Sequence, residues 1–138
     1  EECGLSDKQF VIRERHLSAD KNFGLTINNR GGSVNLKEYN IIPLKEPLKR
    51  SCYYPFHKLI IDYNGDVMVC PCDWGKKFIA GNLNKKNIFE IWNSEELKKV
   101  RLCLINNDRS RLPCAACDID GLLYAKLHFK AWKEYYGA

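Results

Sequence analysis

The chain has 138 residues, with 45% hydrophobic residues, 28% charged residues and a formal net charge of +5. This length supports one domain with a modest core. No run of 18 apolar residues occurs and no secretion signal is visible at the start, so we expect no membrane association and a cytoplasmic location. The basic residues are spread along the sequence rather than concentrated on one stripe, and we therefore expect no nucleic-acid partner.

The first part of the chain reads as a connecting segment. Residues 10–17 alternate imperfectly between apolar and polar positions, which favours a short strand. Paired glycines in 28–33 predict a turn, and two prolines within 34–50 indicate an extended connection. The sequence begins with Glu rather than Met, so we expect a piece of a longer protein.

The clearest local pattern is a β-hairpin. Two β-rich runs, 59–63 and 67–70, flank an Asn-Gly pair at 64–65. Asn-Gly suits the two positive φ angles of a type I′ turn, which predicts antiparallel pairing of the two runs. Cys52 precedes the first run and Cys70 closes the second, so the hairpin should bring these two cysteines to one end of a sheet.

The chain after the hairpin predicts a strand and a helical region. Residues 79–83 favour a short strand. Asn87 and Ser94 are suitable N-caps, the first for a helical turn and the second for a longer helix. Apolar residues of that longer helix keep i, i+3, i+7 spacing and are Leu97, Val100 and Leu104. Cys103 falls on this helix and is interpreted as a core thiol.

Residues 122–138 predict an amphipathic C-terminal helix with two apolar stripes. One stripe consists of Leu123, Leu127, Ala131 and Tyr135, and the other of Tyr124, His128, Trp132 and Tyr136. So wide an apolar face should be covered by this domain or by a missing partner domain. Asp118 and Asp120 are expected to cap this helix. The fold class predicted is α+β, a small hairpin or short sheet with C-terminal helices around a cysteine-ligated metal centre.

The cysteines point to metal binding. Seven cysteines are an odd number, and without a secretion signal reduced thiols fit better than disulfides. Cys52, Cys70, Cys114 and Cys117 have the spacing that a metal site needs, and the last two form Cys-Ala-Ala-Cys. Two intervening residues let both sulfurs face one metal or cluster. Cys72 lies close enough to Cys70 to act as its substitute.

Three chemistries compete for this pattern. Four cysteines can hold one tetrahedral zinc ion and stabilise a binding module. A redox-active CxxC is weaker, because no βαβ pattern surrounds it. An iron–sulfur cluster uses the same ligands, and spacing alone divides zinc and cluster nearly evenly.

The order of several motifs resembles the SPASM/twitch family, the auxiliary-cluster domains found at the C-terminus of radical S-adenosylmethionine enzymes. The similarity covers about residues 51–121. Its motifs are Cys52, Gly65 and Cys70 separated by twelve and four residues, then "GNL" at 81–83, "IFEIWNS" at 88–94 and "CAAC" at 114–117. The "NNRGG" stretch upstream also resembles a segment that often precedes such domains.

The resemblance implies one [4Fe–4S] cluster on Cys52, Cys70, Cys114 and Cys117, with a role in electron transfer or in binding a peptide or small-molecule substrate. It also implies three regions. Residues 1–50 would lead from a missing N-terminal radical SAM barrel, 51–121 would form the cluster domain, and 122–138 the terminal helix.

The sequence contains no CxxxCxxC motif, which radical SAM chemistry requires. S-adenosylmethionine would therefore bind only in the missing N-terminal domain. We expect this chain to be part of an oxidoreductase or maturase and not to be catalytic on its own.

Overall fold

The computed structural model describes residues 28–122 and 125–138. Three antiparallel strands lie in the order β1-β2-β3 and are followed by three α-helices. The strands are β1 (Ile60–Ile61), β2 (Asp66–Met68) and β3 (Ile79–Asn82), and the helices are α1 (Ile88–Trp92), α2 (Glu95–Ile105) and α3 (Lys126–Tyr136). This arrangement confirms the predicted α+β class. The strand predicted at 10–17 lies outside the described residues, as do Leu123 and Tyr124.

The predicted hairpin is present, with Ile60 opposite Met68 and Ile61 opposite Val67. β3 extends the sheet on the other side of β2, with Val67 opposite Gly81 and a register shift between Val67 and Met68. No helix in the described part of the chain is long and apolar enough to cross a membrane.

The turn of the hairpin is not of the predicted type I′. Its amide hydrogen bonds run from Gly65 to the carbonyl of Asp62 at 2.9 Å and from Asp62 to the carbonyl of Asp66 at 2.8 Å. Only Gly65 among the turn residues has a positive φ, 85°, whereas type I′ needs two such residues. The Asn64 side chain accepts from the Asp66 amide at 3.1 Å and supports a longer turn that ends on the glycine.

Asn87 begins α1 as predicted. Its side chain accepts hydrogen bonds from the amides of Phe89 and Glu90, both at 3.0 Å, and the Glu90 carboxylate accepts from the Asn87 amide at 2.9 Å. This reciprocal capping box satisfies donors that the first helical turn leaves unpaired. Ser94 begins α2 in the predicted place, with its hydroxyl accepting from the Leu97 amide at 3.3 Å.

We expect Asn87→Ala to lower the free energy of unfolding by about 1 kcal/mol, because alanine cannot accept the two amide hydrogen bonds. Denaturant unfolding followed by far-UV circular dichroism measures this loss. Lys86→Ala, an exposed neighbour, is the control and should leave the midpoint unchanged. Equal midpoints for the two variants would contradict the cap.

Two hydrophobic clusters form the core, and α2 contributes to both. The first consists of Cys52, Phe56, Val100, Leu104 and Ile105, and the second of Val67, Val69, Ala80, Ile91 and Leu97. The predicted apolar face of α2 is therefore confirmed. Phe78 packs against both clusters, so the sheet and the helices share one continuous interior.

α3 packs on the first cluster through Phe129, Trp132 and Tyr136. Leu127 and Tyr135, members of a predicted apolar stripe, are 79% and 77% exposed. The helix thus turns Phe129, together with Trp132 and Tyr136 of the other stripe, toward the core, while His128 of that stripe is exposed.

Arg101 on α2 connects α3 to the rest of the domain through ring contacts and hydrogen bonds. Its guanidinium lies between the rings of Trp92 and Trp132, 4.2 and 4.1 Å from their centroids. It also donates to the carbonyls of Pro55 at 3.0 Å and Trp92 at 2.8 Å, and to the Tyr136 hydroxyl at 3.3 Å. Desolvated cation–π contacts of this kind stabilise a fold by about 2 kcal/mol each.

Candidate metal centre

Five cysteines from separate parts of the chain line one cavity. They are Cys52, Cys70, Cys72, Cys114 and Cys117. No histidine, aspartate or glutamate of the described residues lines this cavity, and its one charged side chain is that of Arg109. The six cysteines that the structure describes are free thiols. The phenol of Tyr54 also lines the cavity, so the donors offered to a metal are five thiols and one phenol oxygen.

Local structure explains how these thiols meet. Cys52 lies just before the 3₁₀ helix Tyr54–Phe56, while Cys70 follows β2, so the antiparallel hairpin brings both to one end of the sheet as predicted. Cys114–Ala116 form a second 3₁₀ helix. The Cys117 amide donates to the Cys114 carbonyl at 3.2 Å, which turns the Cys-Ala-Ala-Cys segment so that both of its thiols line the cavity.

Cys70 and Cys72 form a coupled pair. The Cys72 amide donates to the Cys70 sulfur at 3.3 Å. Donation from the Cys70 thiol to the Cys72 sulfur raises the pKa of Cys70 and lowers that of Cys72. The positive charge of Arg30 lowers the pKa of Cys72 further. Cys72 is buried and Cys70 is half-buried, so either thiol is placed to serve as a ligand.

Burial raises the pKa of the other three thiols, Cys52, Cys114 and Cys117, and brings that of Cys114 to about 12. The nearby charge of Arg109 acts in the opposite direction on each pKa but is the smaller effect. Burial thus favours neutral thiols. A metal centre that binds here must displace their protons, because the thiolate is the metal ligand.

The turn at 28–33 packs on the Cys-Ala-Ala-Cys segment. The fully buried Asn29 side chain donates to the carbonyls of Ala116 at 2.6 Å and Ile42 at 3.0 Å. Its backbone amide donates to the Asp118 carboxylate at 3.0 and 3.1 Å. The turn was predicted, but its position against the site was signalled only by the resemblance of "NNRGG" to a segment that precedes such domains.

The prediction that Asp118 and Asp120 cap the last helix is wrong. Asp118 accepts from Asn29, and Asp120 pairs with Arg50 at 2.6 Å. The residue before α3 is Ala125, and no side chain caps the helix. Both carboxylates bind upstream segments instead, which holds the chain after Cys117 in place.

Arg109 is a site residue that sequence reasoning missed. It is 2% exposed, and its guanidinium donates only to backbone carbonyls. These belong to Arg50 at 2.9 Å, Ser51 at 2.6 Å, Ile119 at 2.6 Å and Asp120 at 2.5 Å. The surrounding "NNDRSR" is polar throughout, and no pattern in it signals a buried side chain. Cys103, by contrast, is half-buried on α2 and does not line the cysteine cavity.

The thiols share a cavity without meeting at one point. Across residues 28–122 and 125–138, no three histidine, cysteine, aspartate or glutamate side chains converge closely enough to hold a metal ion.

The sequence and the fold of this chain are similar to those of known proteins. The chain is 26% identical over 114 residues to an S-adenosyl-L-methionine-dependent 2-deoxy-scyllo-inosamine dehydrogenase of Niallia circulans, an alignment covering 82% of this chain and 41% of the relative. A crystal structure of BtrN in complex with AdoMet and 2-DOIA has a similar fold, with a TM-score of 0.53 and 24% identity over 67% of this chain and 34% of that chain.

The chain thus spans less than half the length of the curated relative it matches. Residues 52–118 match the SPASM family, described as an iron-sulfur cluster-binding domain. The match begins at Cys52 and includes Cys70, Cys114 and Cys117, the residues whose thiols line the cavity. This part of the chain is therefore similar to the SPASM family of iron–sulfur cluster-binding domains.

Proposed function

We propose that Cys52, Cys70, Cys114 and Cys117 hold one [4Fe–4S] cluster, which serves as the auxiliary cluster of a radical SAM enzyme. The observation that carries this proposal is the set of five cysteine thiols at one cavity, which no histidine, aspartate or glutamate of the described residues lines. Thiolates are the usual ligands of such clusters. Compartments such as the cytoplasm keep thiols of this kind reduced.

A cluster is favoured over the zinc alternative by the match of residues 52–118 to a family described as an iron-sulfur cluster-binding domain. Both centres accept four thiolates, so ligand type does not separate them. The match begins at Cys52 and includes the other three proposed ligands.

When bound, such a cluster supplies one-electron transfer. Four cysteine ligands leave none of its irons open, which favours electron transfer over direct ligation of substrate. The relative's name supports a parent enzyme with an N-terminal domain that binds S-adenosylmethionine and oxidises a substrate. A small polar substrate is favoured over a peptide, because 2-deoxy-scyllo-inosamine is the substrate in that name.

Anaerobic reconstitution of the full chain with iron and sulfide tests the proposal. We expect about four irons and four sulfides per chain and a broad absorption near about 400 nm. A parallel preparation with zinc is the comparison. Stoichiometric zinc that excludes iron, or iron bound without sulfide, would establish the zinc-stabilised module instead.

The choice between Cys70 and Cys72 is testable in the same assay. We expect Cys72→Ala to retain the iron of the wild type, while Cys70→Ala loses part of it because Cys72 lies close enough to substitute. The double variant should lose nearly all of it. Iron content measured after desalting decides, and greater loss from Cys72→Ala than from Cys70→Ala would reverse the assignment.

A further inference from the structure

Arg109 is a buried cation that forms no ion pair with the described residues. It is 2% exposed, and the ion pairs of the described residues join Arg50 to Asp120, Lys76 to Asp62 and Lys98 to Glu95. Its hydrogen bonds go to four carbonyl groups. Carbonyl dipoles solvate a guanidinium but leave its net charge in place, and a buried charge is costly unless an opposite charge lies nearby.

The four carbonyls belong to two segments that flank cysteines of the site. Two are those of Arg50 and Ser51, immediately before Cys52. The other two are those of Ile119 and Asp120, shortly after Cys117. The planar guanidinium of Arg109, with its fixed donor directions, thus links the backbone just before Cys52 to the backbone just after Cys117.

The charge of Arg109 faces the cysteine cavity, which this side chain lines. A Cβ atom built on Gly121 would lie 2.4 Å from the Cys52 sulfur and 3.1 Å from the Arg109 Nη2 atom. The sulfur and the guanidinium therefore lie close to each other beside this glycine. Four thiolates around a 2+ iron–sulfur core carry a net charge of roughly −2, and reduction adds another negative charge.

We propose that Arg109 compensates the charge of the cluster and positions two of its ligands. The charge of Arg109 raises the reduction potential of the cluster. Its hydrogen bonds hold Cys52 and Cys117 at the separation that the cluster requires. This inference rests on the proposed function. A nearby cation stabilises the more negative, reduced form, and the effect is strong in a buried site. The carbonyl contacts act separately, through the backbone.

Three variants in the reconstituted full chain separate these two roles. Arg109→Gln removes the charge, and we expect a more negative midpoint potential and several-fold faster iron loss to a chelator. Arg109→Lys keeps the charge but cannot reach four carbonyls, so the potential should stay near that of the wild type while iron loss is faster. Arg101→Gln is the matched control, a buried arginine that does not line the cavity. It should lower the thermal midpoint and leave the potential unchanged.

The outcomes also distinguish this inference from the proposed function. A wild-type chain that binds no cluster would overturn the proposed function. A wild-type chain that binds one, with Arg109→Gln equal to it in potential and in iron loss, would overturn the role of Arg109 alone. If Arg109→Gln fails to fold, Arg109→Lys decides, because retention of iron at the wild-type rate would refute the positioning role. Thermal unfolding of the reconstituted variants provides a readout that does not depend on the reduction potential.

Discussion

Replacing Cys117 with alanine is expected to abolish cluster binding and to unfold residues 51–121. Metal binding energy contributes directly to folding when a small domain has a modest core. Cys117 closes the Cys-Ala-Ala-Cys turn and precedes the segment held by Arg109. We expect a loss of about 3 kcal/mol or more relative to the loaded wild type, which corresponds to a thermal midpoint lower by more than about 10 °C.

Iron content and thermal unfolding of the reconstituted protein measure this effect. The matched control is Cys103→Ala, because this thiol is half-buried on α2 and does not line the cavity. It should retain the iron and change the stability by no more than about 1 kcal/mol. A chelator should unfold the wild type to the same extent as Cys117→Ala. An unchanged thermal midpoint in Cys117→Ala would contradict the structural role of the metal centre.

The second large effect is expected from Gly121→Ala. Gly121 has a φ of +78°, and a Cβ there would lie 2.4 Å from the Cys52 sulfur and 3.0 Å from its Cβ. The left-handed backbone costs an alanine about 1–2 kcal/mol, and overpacking adds about 1–3 kcal/mol. The clash should also displace Cys52, so we expect most of the bound iron to be lost.

Gly137→Ala separates these two costs. Gly137 has a similar φ of +67°, but a Cβ there would meet no atom within 4 Å. It should therefore show the backbone cost and keep a full complement of iron. Iron analysis of the two variants, prepared side by side, makes the comparison. Equal iron in both would show that Gly121 has no steric role at Cys52.

The parts of this fold that could be predicted are those fixed by residues close together in sequence. An Asn-Gly pair marked the hairpin, and Asn87 and Ser94 marked the starts of two helices, because caps and turns form within a few residues. The grouping of the cysteines followed from the hairpin and from one short motif. The same local reasoning gave the wrong turn type, because an Asn-Gly pair also fits a longer turn with one positive φ.

The parts that could not be predicted depend on contacts between distant segments. Arg109 binds carbonyls up to 59 residues away in sequence, and a single arginine in a polar stretch carries no sign of burial. The role of Asp118 depends on Asn29, 89 residues away. For α3, two apolar stripes were recognised, but which of them faces the core is decided by the position of Phe56, which contacts Phe129 with ring centroids 5.0 Å apart.

The attachment of Asn29 to Ala116 and Asp118 has a mechanical consequence. Since the turn at 28–33 is bonded to the segment that carries Cys114 and Cys117, a displacement of the upstream chain would pull on these two thiols directly, without first deforming the hairpin. Strain applied at one end of the domain would thereby reach two of its proposed ligands first.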